Sequence, residues 1–228
     1  MTGDATAERH IGALEIATRS GAVVVWARPI ARPEVLHGSA EIQPDGVVRL
    51  NGSGRVEIAC PEGSDVIIGS SSGRVECYGP LGRVAVTGRS GRISIEEAHD
   101  IEVRSASGRV TIGRCDGTCR VAVSSGAVEI GSAASIDVTL SSGWLKVGAV
   151  GDVLVRSGSG RVALGLVRAG TVDVGTLSGR VSVSIPPGLA PHLQLVSRSG
   201  RVTAEVEPGA DGSLAIETSS GSITVTRG

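Results

Sequence analysis

The sequence predicts an all-β fold: a single-domain, parallel β-solenoid (β-helix-like) of about ten coils of 17–21 residues. Three observations predict it. The dipeptide Ser-Gly recurs with its glycine at 54, 73, 91, 108, 126, 143, 160, 179, 200 and 221, at intervals of 17 to 21 residues. Aliphatic side chains alternate on both sides of every copy. Among 228 residues only Trp26, Tyr78 and Trp144 are aromatic. A fixed period of this length marks a repeat architecture, in which each unit buries its apolar stripe against the next.

Each part of the unit has its own reason. Two and four residues after the glycine stand pairs such as Val56/Ile58, Ile93/Ile95, Val128/Ile130 and Val162/Leu164. Seven and five residues before it stand Val66/Ile68, Val84/Val86, Ile101/Val103 and Val172/Val174. Alternation with period two in β-branched residues predicts a half-buried strand on each side of the corner. The glycine takes φ > 0 at no steric cost and so suits a sharp bend. The serine hydroxyl can cover a bare backbone group there. A second, more variable corner closes the unit. Helix is excluded, because glycine interrupts every segment and alternate Val and Ile would scatter around a helical surface.

An antiparallel meander in a sandwich or barrel could also house such a repeat. The solenoid explains more: the near-identity of successive units, and a core of Val, Ile, Leu and Ala whose thin layers need no large rings. With coils stacked about 4.8 Å apart, the result is a rod roughly 50 Å long.

Residues 1–13 read as a flexible N-terminal segment, 14–52 as an irregular N-terminal cap, and 53–228 as the Ser-Gly-Arg-Val repeat domain. The cap holds one further Ser-Gly unit, at Gly21, followed by a proline-containing insertion, 28–46. Covering the first layer is the plainest role for that insertion, since an open sheet edge invites pairing; a binding loop is the alternative. After Gly221 the chain runs Ser-Ile-Thr-Val-Thr-Arg-Gly, with nothing to close the last layer. End-to-end self-association is therefore open, alongside binding of a protein partner.

The charges nearly cancel, 22 basic against 23 acidic, and point to neither specific nucleic-acid binding nor an anionic membrane. No apolar run is long enough to span a bilayer, and the polar stretch Met1–His10 leads into no apolar region of signal-peptide type. The expected location is cytoplasmic. No cofactor or metal is expected either. Cys60, Cys77, Cys115 and Cys119 include no CxxC pair, and His10, His37, His99 and His192 are scattered. Cys77 and Cys119 stand at core positions of the repeat, so the thiols read as small buried hydrophobes.

Segments such as SSGRVEC, RSGRISI, ASGRVTI and SSGSITV, with the opening unit LEIATRSGAVVVW, resemble a bacterial family of β-strand-repeat domains. That family is of unknown function and carries a loose label of adhesin. The resemblance covers roughly Leu14 to Thr226. It implies a solenoid-like all-β fold and no catalytic residues.

The candidate interaction edge is the position after the corner glycine. It holds Arg55, Arg74, Arg92, Arg109, Arg161, Arg180 and Arg201, with Trp144 in the same place in another unit. Stacked units bring these arginines into one line, where charges some 5 Å apart repel by roughly 1 kcal/mol per neighbour in water. Glu57, Glu76 and Glu129, two residues further on the same face, can offset part of that. The edge reads either as a solvated corner with paired charges or as a groove for an anionic polymer. Trp144 should point outward, as a contact anchor or folded over its neighbours. No enzyme is expected. The Ser-Gly turns lack the His and Asp partners of a nucleophile elbow, and the glycine-rich turns lack the Lys-Ser/Thr of a phosphate loop. The leading expectation is a non-catalytic structural or interaction scaffold.

Overall fold

The computed structural model describes residues 13–43, 47–50, 54–166 and 170–228. The expected N-terminal segment 1–13 therefore lies, apart from Ala13, outside the described residues, as do 44–46 of the insertion. Among the described residues all elements are strands: β1 (Leu14–Thr18), β2 (Gly21–Arg28), β3 (Glu34–His37), β4 (Ala40–Ile42), β5 (Val47–Leu50), β6 (Gly54–Pro61), β7 (Val66–Leu166), β8 (Thr171–Ile185), β9 (His192–Ser199), β10 (Val202–Ala204) and β11 (Ser213–Arg227). They form one sheet that winds on itself in a β-solenoid-like manner. β7 keeps strand conformation for 101 residues, through several Ser-Gly corners.

The alternation read from the sequence is the burial pattern observed. Val56, Ile58, Val84, Val86, Ile101, Val103, Val128 and Ile130 are all buried, and the residue between the members of each pair (Glu57, Ala85, Glu102 and Glu129) is on the opposite, partly exposed face. One continuous aliphatic core runs the length of the molecule. Each of its Val, Ile and Leu side chains contributes about 1.5–3 kcal/mol of transfer free energy.

The corner glycines form a column. β7 and β8 pair in parallel with Gly160 opposite Gly179, and β8 and β11 with Gly179 opposite Gly221. A Cβ on Gly126 would lie well inside 3.0 Å of the Gly108 carbonyl oxygen, and one on Gly143 would meet Gly126 in the same way. Similar contacts run from Gly73 to Gly179. Gly126 also has φ of 145° and Gly143 of 121°, in the region that side chains avoid. The close approach is the stronger of the two demands, because backbone carbonyl atoms cannot step aside.

Corner hydroxyls supply further ties. Three residues before the glycine, Thr18, Ser105 and Thr176 donate to the carbonyls of Ser20, Ser107 and Ser178, at 2.9 to 3.1 Å. The hydroxyl of Ser107, the residue beside the corner glycine, reaches back to the Arg89 carbonyl of the preceding layer at 3.4 Å.

Two devices hold the second corner, and the sequence reading found neither. Asp65, Asp100 and Asp152 stand eight residues before a corner glycine. Each carboxylate accepts a backbone N–H one layer on, from Arg83 at 2.7 Å, Thr118 at 2.8 Å and Thr171 at 2.9 Å. The residue before each of these donors is glycine (Gly82, Gly117, Gly170), and a Cβ there would strike the carboxylate. A further glycine column, Gly113, Gly131, Gly148 and Gly165, lies five residues after the main one, where successive layers again approach too closely for a Cβ.

Layer order is where the structure departs from a single parallel solenoid stacked in chain order. β2 lies between β6 and β7, so that Ala22 faces Arg55 on one side and Arg74 on the other. β11 lies between β8 and the β9/β10 layer. The unit carrying Gly54 is therefore outside the one carrying Gly21, and the unit carrying Gly200 outside the one carrying Gly221. The segment after Gly221, read as an unlidded last layer, is covered by β10, as the strand before that glycine is by β9. Pairing is also not wholly parallel: β3 runs antiparallel to β6, and β4 to β5. These two strands are the insertion, laid against the layer of β5 and β6.

The glycine column yields a stability test. Gly126→Ala combines positive φ with a carbonyl clash and should cost about 2–5 kcal/mol of unfolding free energy. Gly69, with open space where a Cβ would go, serves as the control. Gly69→Ala should be neutral or stabilise by up to about 1 kcal/mol in urea unfolding. Equal effects at the two sites would contradict the close stacking.

Candidate functional site

The position after the corner glycine is outward and exposed in every arginine-bearing unit. Permuted layer order changes who neighbours whom. Along the rod the line reads Arg55, Ala22, Arg74, Arg92, Arg109, Ala127, Trp144, Arg161, Arg180, Ser222, Arg201. Ala22 and Ser222 therefore interrupt it in addition to Ala127 and Trp144, and the line resolves into short groups.

The groups differ in their counter-charges. Arg55 Nε donates to Glu57 Oε1 at 2.7 Å, and Arg74 Nη1 lies 3.7 Å from Glu76 Oε1. Glu129, whose own unit carries Ala127, pairs instead with Lys146 of the next layer at 3.6 Å. In the last units the same face holds Ala163, Ser182, Thr203 and Thr224 in place of an acid. Arg161, Arg180 and Arg201 surround an open depression of about 830 Å³ there, completed by Ser182, Ser222, Thr203 and Thr224. Trp144 is 36 % exposed beside this group.

A different face carries a groove that the sequence reading missed. One depression of about 350 Å³ is lined by Gly88, Ala106, Ala122 and Ser124, among others. A second of about 520 Å³ continues it toward Gly158, Gly175 and Leu177. Thr139 and Ser141 line both, so the two are one trough crossing several layers. Among the described residues Leu177 is the most exposed large hydrophobic side chain, at 66 %. Arg156 stands at the trough's edge, held by two hydrogen bonds to Asp173 at 2.8 and 2.9 Å. That hydrogen bonding holds the Asp173 carboxyl below its ordinary value. The signal was present in the sequence as Gly, Ala, Ser or Thr at outward positions two and four residues before the glycine.

Trp26 lies at the N-terminal end. Its ring stacks on Tyr78 of the adjacent layer, with centroids 4.4 Å apart, and the Arg28 guanidinium sits 5.5 Å from the ring centre. All four cysteines are free and buried. Burial pushes the Cys77 thiol up to about 12. The Cys119 thiol is raised by its hydrogen bond with Cys115 and by burial, and Cys115 Sγ donates to the His99 carbonyl at 3.3 Å. Among the described residues no three His, Cys, Asp or Glu side chains gather as a metal ion would require, and no helix is long and apolar enough to cross a membrane.

Comparison with known proteins gives one match. The model of a family described as Toastrack DUF4097, of unknown function, matches residues 7–227. No curated protein matches, and no solved structure does.

The thiols give a direct check on the packing. In the folded protein, a thiol reagent at pH 8 should label none of the four cysteines within an hour, and in denaturant it should label all four. Rapid modification of Cys77 or Cys119 in the native state would contradict their burial.

Proposed function

We propose a function that starts from one fact: the chain belongs to the Toastrack DUF4097 family, whose model covers nearly all of it. The proposed role is a non-catalytic interaction scaffold, a ten-coil-scale parallel β-solenoid that presents a preformed groove to a protein partner or to a second copy. The observation that carries this reading is the trough over Thr139 and Ser141 with Leu177 two-thirds exposed in its lining. Leu177 adds apolar area to a concave, mixed surface, area that a docked chain would remove from water. Small outward residues keep the trough open, and the layer ladder on either side fixes its shape, so little ordering entropy is lost on docking.

The disposition of the acids supports the non-catalytic part. Asp65, Asp100 and Asp152 are engaged by backbone N–H groups between layers. Glu102 bridges Arg83 and Arg104, each at 2.9 Å, and Asp173 is clamped by Arg156. Carboxylates committed in this way serve the fold rather than proton transfer. A cytoplasmic location belongs to the same proposal; four reduced, buried thiols accord with a reducing compartment.

Photo-crosslinking tests the reading. A photoreactive residue at position 177 should yield a discrete adduct in cells, with a partner protein or with a second copy, and one at position 92 should not. Leu177→Glu should abolish the assembly so trapped while leaving the melting temperature within about 2 °C. Identical labelling from both positions, or none from 177, would overturn the proposal.

A further inference from the structure

We infer that the depression formed by Arg161, Arg180 and Arg201 is a binding site for a linear, multiply phosphorylated anion. The site is separate from the trough, and the inference stands independently of the scaffold reading.

Three observations carry it. First, these arginines have no ion pair among the described residues, in contrast to Arg55 and Arg74 on the same line. In a protein with net charge −1, this leaves a local surplus of three positive charges on one face. Secondly, the register sets their spacing. Arg161 and Arg180 are paired across adjacent strands. Ser222 follows Arg180, and the N–H of Ile223 bonds the Arg201 carbonyl in the outermost layer at 2.9 Å. With layers about 4.8 Å apart, the guanidinium stems are rooted one and then two layers apart. Thirdly, hydroxyl groups fill the positions between and beside the arginines: Ser182, Ser222, Thr203 and Thr224.

The chemistry follows from these groups. A guanidinium fork matches two oxygens of a tetrahedral oxyanion, and the hydroxyls of Ser222, Thr203 and Thr224 supply further donors beside the forks, while that of Ser182 reaches the Val162 carbonyl at 3.4 Å. Positive stems spread over three layer spacings fit successive phosphoryl groups along a chain better than one compact phosphate. Mutual repulsion among the arginines, strongest between Arg161 and Arg180 in adjacent layers, is relieved when such a chain lies across them. The gap at Ser222 lowers the line at that point, so that the chain settles into the depression.

Calorimetric titration of the full chain with short-chain inorganic polyphosphate at low ionic strength provides the test. Binding should appear, and should weaken steeply with added salt. Orthophosphate in a parallel titration should bind at least about tenfold more weakly. Arg180→Gln should reduce polyphosphate affinity about tenfold, the loss expected for one charge-assisted contact. Arg92→Gln, on the same line but outside the depression, should change it less than about twofold. Melting curves for both variants should match the parent, because both side chains are exposed. No binding at low ionic strength would overturn the inference, as would equal losses from the two variants or equal affinity for orthophosphate. Leu177→Glu should leave this titration unchanged, which separates it from the fate of the groove.

Discussion

The close approach of each corner glycine to the carbonyl of the one beneath it is the constraint on which the molecule rests. At Gly126 and Gly143 no side-chain carbon fits between successive layers. Because the layers meet so tightly at this corner, the strands leaving it on either side are held in register, and their Val and Ile side chains fall into matching rows. Thin, near-identical layers then need only aliphatic filling, which accounts for a core without Phe. The Asp65, Asp100 and Asp152 bridges and the second glycine column around Gly131 do the same work at the opposite corner.

Repetition leaves one question open: which layer sits on which. The pattern around Ser-Gly is so similar from unit to unit that any layer offers nearly the same surface to any other. Connection length decides instead. Passing over an intervening layer requires extra chain, and the intervals around Gly200 and Gly221 are 21 residues against 17 to 19 for most of the others. At the other end, the insertion 28–46 gives the unit of Gly54 its freedom to lie outside that of Gly21. The consequence is that β2 and β11 are each flanked on both sides. β3 and β4 then lie antiparallel on the outer N-terminal layer, a common way of blunting a sheet edge.

Much of this was legible from residue pattern alone, and the remainder was hidden for physical reasons. Strands on either side of Gly91 or Gly160 announce themselves by strict alternation, because a half-buried strand has no other way to satisfy both faces. The pairings of Glu57 with Arg55 and Glu76 with Arg74 were readable too, being local. Glu129 was not, since its partner Lys146 belongs to another layer. The grouping of Arg161, Arg180 and Arg201 depends on Ser222 lying between the last two, which no local pattern reveals. The trough past Leu177 is built from Gly, Ala, Ser and Thr, residues with no distinctive chemistry until stacking places them in one row.

Layer order is the claim from which both proposed surfaces derive, and paired cysteines test it most directly. Neighbouring layers place α-carbons within disulfide reach, roughly 4.4–6.8 Å, and alternate layers do not. Arg180→Cys with Ser222→Cys should oxidise to an intramolecular disulfide, detected by mass spectrometry without reduction. Arg180→Cys with Arg201→Cys should stay reduced. The opposite result, a bridge between 180 and 201 and none between 180 and 222, would mean that the units stack in chain order and that the arrangement described here is wrong.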